Sequence, residues 1–377
     1  MTARRLPTTL FAAMAAAISF GQVPDLLNAL DAGGRAMGVG GSTNATDSTT
    51  LSSYTNPAGL AYISSPTFSV AFRNLPESRN VLNGEFDSPN YETRRKAGSR
   101  ALTHVGLALP AANGIVGIAY TMGGFVRDVQ NAGGNLRDGG NSIQNMDITT
   151  KVQHDFFTLS YGKRSGRANY GVGLIMASQY LSNTGSYSIF DSGSNFLGTR
   201  RFNDSGNSTG FGAIVGAQFQ ADAQGNSLVG ISLRSPISLS NNRETSPYLN
   251  RIPGRASLGY ATRTTTVGDS RDYFVYGGQL DYYFSSDKSA ILERTDVLVG
   301  SLGLEYNFFR GGTRIPVRAG YAIVPKGGDR FANRNTMTFG LGYRPASGGL
   351  SADLSVGLAA GGGGLDTGLS VTYRVGN

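Results

Sequence analysis

From about residue 67 to its C-terminus the chain repeats one pattern. A run in which apolar side chains alternate with small or polar ones is followed by a cluster of Gly, Asn, Asp or Pro, then by another such run. Period-two alternation sorts side chains onto the two faces of an extended strand, and the clusters are turn chemistry. Fourteen runs are present, centred on residues 68–72, 102–109, 115–122, 156–161, 170–180, 211–219, 228–234, 255–262, 273–284, 297–308, 315–323, 337–343, 350–358 and 365–375. The fold class expected is all-β, an antiparallel sheet of about fourteen strands. The composition agrees: 54 glycines, 18 tyrosines and 19 phenylalanines make a poor helix former and a good strand former.

A soluble sandwich or secreted adhesin also alternates. Three features favour a transmembrane β-barrel. Long polar connections (73–100, 123–151, 181–208) take turns with short ones (111–114, 162–169, 221–226, 310–313, 345–349), as in outer-membrane hairpins. One strand face is continuously apolar, for example Leu298, Leu302, Leu304, Tyr306 and Phe308, or Met337, Phe339, Leu341 and Tyr343. Aromatic residues mark strand ends at Phe157, Tyr161, Tyr170, Tyr180, Phe219, Tyr273, Phe284, Phe308, Tyr343 and Tyr373, as interfacial girdles require. No stretch beyond the N-terminus is apolar enough for a transmembrane helix.

The opposite face holds His104, Gln179, Gln218, Arg234, Gln279, Asp281, Glu305, Arg318 and Asp353 among many Gly, Ala and Ser. Arg or Lys facing lipid at mid-membrane costs roughly 2–4 kcal/mol, so this face is assigned to the lumen. Ile175, Ile214, Val297 and Val299 share it. The expected interior is mixed and packed or partly apolar, not a wide ion pore.

The N-terminus reads as an export signal: Arg4 and Arg5, an apolar run from Leu10 to Phe20, and small residues Ser19 and Gly21 before a cut at Gln22. The expected organisation is a signal peptide (1–21), a non-alternating segment (22–66) and a barrel (67–377). An even strand count then leaves both termini periplasmic. The chain has no cysteine, which fits an exported protein without disulfides and removes thiol chemistry. Its formal net charge is +8, or +6 without Arg4 and Arg5, and the basic residues fall in connections with no aromatic-interleaved stripe. Outer-membrane lipid is the partner this charge favours, not nucleic acid.

Residues 22–66 contain Ala32-Gly33-Gly34-Arg35-Ala36-Met37-Gly38-Val39-Gly40-Gly41 and, about fifteen residues later, Asn56-Pro57-Ala58-Gly59-Leu60-Ala61. The glycine cluster is no phosphate loop, because no Lys-Ser/Thr follows and no strand precedes it. Pro57 fixes φ and removes a donor, and the Asn56 side chain can bond its own backbone, so the chain turns there. This pair of strings, roughly forty residues in all, resembles the start of the long-chain fatty-acid transporter (FadL-like) outer-membrane family and is similar to the related PorV and PorQ barrels. The resemblance implies a fourteen-stranded barrel whose lumen holds an N-terminal hatch carrying Asn56, Pro57, Ala58 and Gly59, with Gly33, Gly34, Gly38, Gly40 and Gly41 supplying backbone freedom. Two departures bear on subfamily: Asp47 is the only acid in the polar run 42–53, and the chain ends Tyr373-Arg374-Val375-Gly376-Asn377 without an aromatic terminus.

Catalysis is not expected. Only His104 and His154 could serve a Ser-His-acid set, and Asp155, next to His154, points to the other strand face. Neither a metal site nor a cofactor is expected. Asp281 and Glu305 read as partners for Arg234 or Arg318. The function expected from the resemblance is passage of hydrophobic or amphipathic, fatty-acid-like molecules across the outer membrane. The alternative is a PorV-like barrel that binds a secretion-system protein, and a third possibility is a sealed structural or adhesive barrel.

Overall fold

A computed structural model describes residues 33–75, 99–132, 136–138, 141–240, 251–264, 271–284, 287–288, 293–325, 327, 334–345, 348–359 and 365–375. The expected signal peptide, residues 22–32 and most of the 73–100 connection lie outside the described residues. Among the described residues, fourteen long strands form one barrel: β1 (Thr67–Leu75), β2 (Ser99–Ala111), β3 (Gly114–Ala132), β4 (Asn141–Ser165), β5 (Ala168–Phe190), β6 (Phe196–Gln220), β7 (Ser227–Arg234), β8 (Gly254–Arg263), β9 (Tyr273–Phe284), β10 (Val297–Arg310), β11 (Thr313–Val324), β12 (Arg334–Pro345), β13 (Gly349–Ala359) and β14 (Leu365–Arg374). Each pairs antiparallel with the next, and β14 closes the ring on β1 from Thr67↔Arg374 to Asn74↔Thr367. Each of the fourteen runs read in the sequence falls on one strand. Closure leaves no sheet edge, which is what a strand protein needs in lipid.

Alternation sets the two faces. On β7 the outward Ile231 and Leu233 are exposed while Ser232 and Arg234 are buried. The outer wall carries Leu302 at 63 % and Phe211 at 76 % exposure, values that only an apolar surrounding makes favourable. At one end tight turns use positive φ: Ala112 and Asn113 (38° and 67°), and Gly311 and Gly312 (54° and 77°), the pattern of a two-residue hairpin.

Two expectations need correction. The stretches 123–151 and 181–208 are mostly not loops, because β3 runs on to Ala132, β4 starts at Asn141, and β5 and β6 leave only residues 191–195 between them. Both faces there are largely polar, so the hydropathy alternation fades. The Ser-, Thr- and Asn-rich backbone nevertheless stays extended because it is paired with its neighbours. Tyr273 is not a girdle residue. It stands on the inward parity of β9 at 7 % exposure, where Arg314 Nη1 donates to its hydroxyl (2.9 Å) and the Arg263 guanidinium lies 4.0 Å from its ring.

Candidate functional site inside the barrel

Residues 33–66 lie against the inner wall, and most of their side chains are buried. The segment forms a short helix α1 (Gly34–Gly38), a one-turn helix α2 (Ser52–Thr55) and a 3-10 helix (Pro57–Tyr62). None is long enough to be stable alone, so packing against the wall holds them. Asn56 caps the 3-10 helix: its Oδ1 accepts from Ala58 N–H (3.2 Å), with Pro57 at the first helical position. Asp47 organises the polar run by accepting from Thr49 N–H (3.0 Å), Thr49 Oγ1 (2.8 Å) and Thr55 Oγ1 (3.2 Å).

Cross-strand glycine rows seat this segment. Gly162, Gly171 and Gly216 are register neighbours on β4, β5 and β6. They form a trough for Asn56-Pro57, and a Cβ on Gly171 would fall 2.2 Å from the Pro57 carbonyl carbon. Gly303 and Gly320 pair across β10 and β11 under Val39-Gly40, where a Cβ on Gly320 would lie 2.2 Å from Gly40 N. Gly230 and Gly259 pair across β7 and β8 under Asn44. Only glycine lets two backbones approach this closely.

Asn44 and Asn56 carry the polar contacts. Gln279 Oε1 accepts from the N–H groups of Thr43 (3.0 Å) and Asn44 (2.7 Å), and Gln218 Nε2 donates to Asn44 O (3.0 Å). Asn44 Nδ2 donates to Gly230 O (2.8 Å) and Ser257 O (3.2 Å). Asn56 Nδ2 donates to Asn44 O (3.0 Å) and to Ala217 O (3.3 Å). Elsewhere Ser160 donates to Ser53 O (2.9 Å), and Ser232 and Arg255 donate to Thr55 O (3.0 and 2.7 Å).

All nine side chains assigned to the lumen are buried on the inner face. His104 hydrogen-bonds Thr50 (2.7 Å) and Thr121 (3.0 Å), tying the segment to β2 and β3. Gln179 meets His154 (2.7 Å) on β4. Arg318 joins Glu305 (2.6 Å) and Asp353 (2.8 Å), and Arg35 of α1 lies 3.6 Å from Glu305. Burial pulls the Arg35 guanidinium down, and Glu305, Asp47 and Asp353 outweigh it, so Arg35 ends above its ordinary pKa. The expected pairing of Asp281 with Arg234 or Arg318 gives way to another arrangement: Asp281 accepts from Ser257 and from Gln279 Nε2 (2.7 Å), with Arg255 as its electrostatic neighbour. Arg234 instead donates to the Tyr54 hydroxyl and to Pro253 O (3.0 Å), stacked 5.4 Å from the rings of both Tyr54 and Phe156.

Beside Tyr54 the interior turns apolar. Phe156, Ile175, Ala177 and Ile214 from the wall pack with Ile237, Leu239 and Ile252, which the connection between β7 and β8 folds inward. Sequence parity finds Ile175 and Ile214. It misses Ile237 and Ile252, which sit in a connection, and Arg35, Asn44 and Tyr54, which lie in the non-alternating segment; Arg255 stands on the inward parity of β8, where the same reading could have found it. The glycine rows were legible in principle, as glycines recurring on the inward parity of neighbouring strands. Among the described residues no His/Asp/Glu group is arranged to hold a metal.

No family model matches the chain, and no curated protein matches it. Solved structures do. A FadL homologue from Pseudomonas aeruginosa superposes with a TM-score of 0.60 at 14 % identity, covering 94 % of this chain and 99 % of its own. The toluene transporter TodX of Pseudomonas putida gives 0.63 at 12 % identity, covering 93 % and 99 %. The toluene transporter TbuX of Ralstonia pickettii gives 0.59 at 12 % identity, covering 91 % and 98 %. The fold is that of a FadL-like barrel. Near-complete coverage of both chains means that the FadL-like likeness includes the whole ring. At such low identity it concerns backbone and not side chains. The interior of this FadL-like barrel must therefore be judged by its own residues.

Proposed function

We propose that this FadL-like barrel carries hydrophobic or amphipathic small molecules across the outer membrane, with both termini on the periplasmic side. The observation that carries the proposal is the apolar interior patch of Phe156, Ile175, Ile214, Ile237 and Ile252, set directly against Tyr54 of the N-terminal segment. The named functions of the structural neighbours, toluene transporters and a monoaromatic hydrocarbon channel, support the same class of cargo. Nothing among them supports a protein-binding PorV-like role, and they are transporters and channels, not enzymes.

Residues 33–66 act as the hatch. The patch is packed closed under Tyr54 in this structure, so cargo reaches it as the segment moves, and the stretch Asn56-Pro57-Ala58-Gly59 shifts from its glycine trough to let it pass. The bonds at the Asn44 and Asn56 seats join neutral amide and carbonyl groups, each worth a net ~0.5–1.5 kcal/mol, so they can break and re-form without unfolding the barrel. The barrel is purified gently from outer membranes and examined by native mass spectrometry with lipid extraction. A bound hydrocarbon or fatty acid, retained by the native chain and lost from Asn56→Ala, is expected. An empty barrel with a secreted protein bound to it would overturn transport.

A further inference from the structure

Among the described residues the wall is tallest at β4, β5 and β6, with the 19-residue β3 rising beside them. β4, β5 and β6 have 25, 23 and 25 residues, against 14 and 12 in β10 and β11. The excess of about ten residues amounts to roughly 33 Å of strand. It lies at the end away from residues 67 and 374, where the chain enters and leaves the barrel.

The outward face of this tall wall changes character along its length. It is apolar up to the cross-strand row Phe157, Met176 and Phe211. Tyr120 packs on Phe157 (ring centroids 5.3 Å apart), and its hydroxyl donates to Asp155 (2.6 Å), one row higher. Tyr180 follows, with Lys151 Nζ 5.3 Å from its ring. Tyrosines with an apolar body and a polar tip mark the level where hydrocarbon gives way to headgroups. Above them the face stays in register and becomes hydroxyl, amide and charge: Thr149, Thr184 and Asn203 form one row, Asp147, Ser186 and Arg201 the next. These two rows, with Gly185 and Phe202 between them, line a shallow open groove of about 510 Å³.

We infer that this polar face docks the phosphorylated sugar headgroups of outer-leaflet glycolipid. The face continues the lipid-facing wall without a break, so the molecules that cover it are those whose acyl chains cover the wall below. Ser, Thr and Asn side chains both donate and accept, as sugar hydroxyls do. Arg201 and Lys151 supply the cations that phosphate oxygens take up. Short side chains leave the groove open between them. This surface lies outside the lumen, so it is separate from passage of cargo.

The full barrel is reconstituted into phosphatidylethanolamine vesicles with and without deep-rough lipopolysaccharide (lipid A plus inner-core sugars). The readouts are hydrogen–deuterium exchange and the glycolipid that copurifies after re-extraction. Slower exchange over 147–155, 180–186 and 201–207 with the glycolipid, and no change over β10–β13, is expected. Lys151→Glu with Arg201→Glu lowers retained glycolipid several-fold, and Ser186→Tyr, which fills the groove, does the same. Heat-modifiable gel mobility verifies that each variant is folded. Equal exchange in both vesicle types, equal retention by folded variants, the same protection from inorganic phosphate alone, or a protein captured on this face without any glycolipid effect would each overturn the inference.

Discussion

Gln218 and Gln279 grip the same residue from opposite sides: Gln218 donates to the Asn44 carbonyl, and Gln279 accepts from the Asn44 N–H. They belong to one cross-strand row, Gln218–Gly230–Gly259–Gln279, in which the two glycines make room for Asn44. A Cβ on Gly230 would lie 2.3 Å from Asn44 O. Gly230→Val therefore cannot keep Asn44 in place. Overpacking of this kind costs about 1–3 kcal/mol, enough to unseat a segment without opening the barrel's hydrogen-bonded ring. The expected outcome is a folded barrel with raised ion conductance in planar bilayers, against a quiet native protein. Unchanged conductance in a folded Gly230→Val barrel would show that the segment does not block the lumen.

Asn56 makes three hydrogen bonds, to Ala58 N–H, Asn44 O and Ala217 O. Asn56→Ala leaves buried partners unsatisfied, at about 1–3 kcal/mol. Its loss should loosen residues 33–66 and spare the strands. Limited proteolysis should cut within this segment several-fold faster in the variant, while gel mobility reports an intact barrel. Asn56→Asp keeps the cap to Ala58 but loses both donations, so it should fall nearer to Ala than to the native chain.

Arg318 is fully buried between Glu305 and Asp353. Removing one partner of a buried pair strands the other charge, at about 3–5 kcal/mol, whereas replacing both with apolar groups is often neutral. Glu305→Leu and Arg318→Met should each lower the denaturation midpoint in urea. Asp353 and Arg35 remain in the double variant, so its recovery should be partial. Strictly additive losses in the cycle would mean that the pair is not coupled.

The strand order and the two faces were readable because lipid and lumen impose opposite chemistry at a fixed period of two, so Leu302 and Gln279 reveal their sides without any structure. The tall wall was not readable, because Thr184 and Asn203 stand beyond the apolar belt, where no hydrocarbon imposes alternation on the outer face. The seat for Asn44 was hidden for a different reason. It is made by glycines 230 and 259 and by glutamines 61 residues apart in sequence, and only strand register brings them into one row. Asn56 lay between these cases: the turn chemistry of Asn-Pro was legible, but not its bond to Ala217.

Asp191 closes the turn between β5 and β6, accepting from Gly193 N–H (2.9 Å), Asn195 N–H (2.8 Å) and Asn195 Nδ2 (2.9 Å). The Asn195 side chain leads in holding its carboxyl below the usual carboxylate range, with the two backbone N–H groups adding to it. A depressed folded pKa means that the turn gains from ionisation above the ordinary pKa, roughly 3.9, and loses this as pH falls through the folded value. Amide exchange at Gly193 and Asn195, corrected for intrinsic rates, should stay protected at neutral pH and lose protection only in strong acid. Asp191→Asn should remove the pH dependence.

Leu302 stands on the lipid side of β10, and Ser301 beside it points inward and is buried. If the outer wall meets hydrocarbon, Leu302→Arg should cost about 2–4 kcal/mol, the depth-dependent penalty for Arg at the middle of a membrane barrel. If it meets water, the same change should be close to neutral, since surface substitutions usually stay within about 0.5 kcal/mol. Folding of the barrel into vesicles, titrated with urea, separates the two. The penalty should shrink when the substitution moves toward the strand end, as in Leu298→Arg, because a long side chain there can reach the headgroups. Equal and small penalties at Leu302 and Leu298 would remove the membrane from the account of this wall.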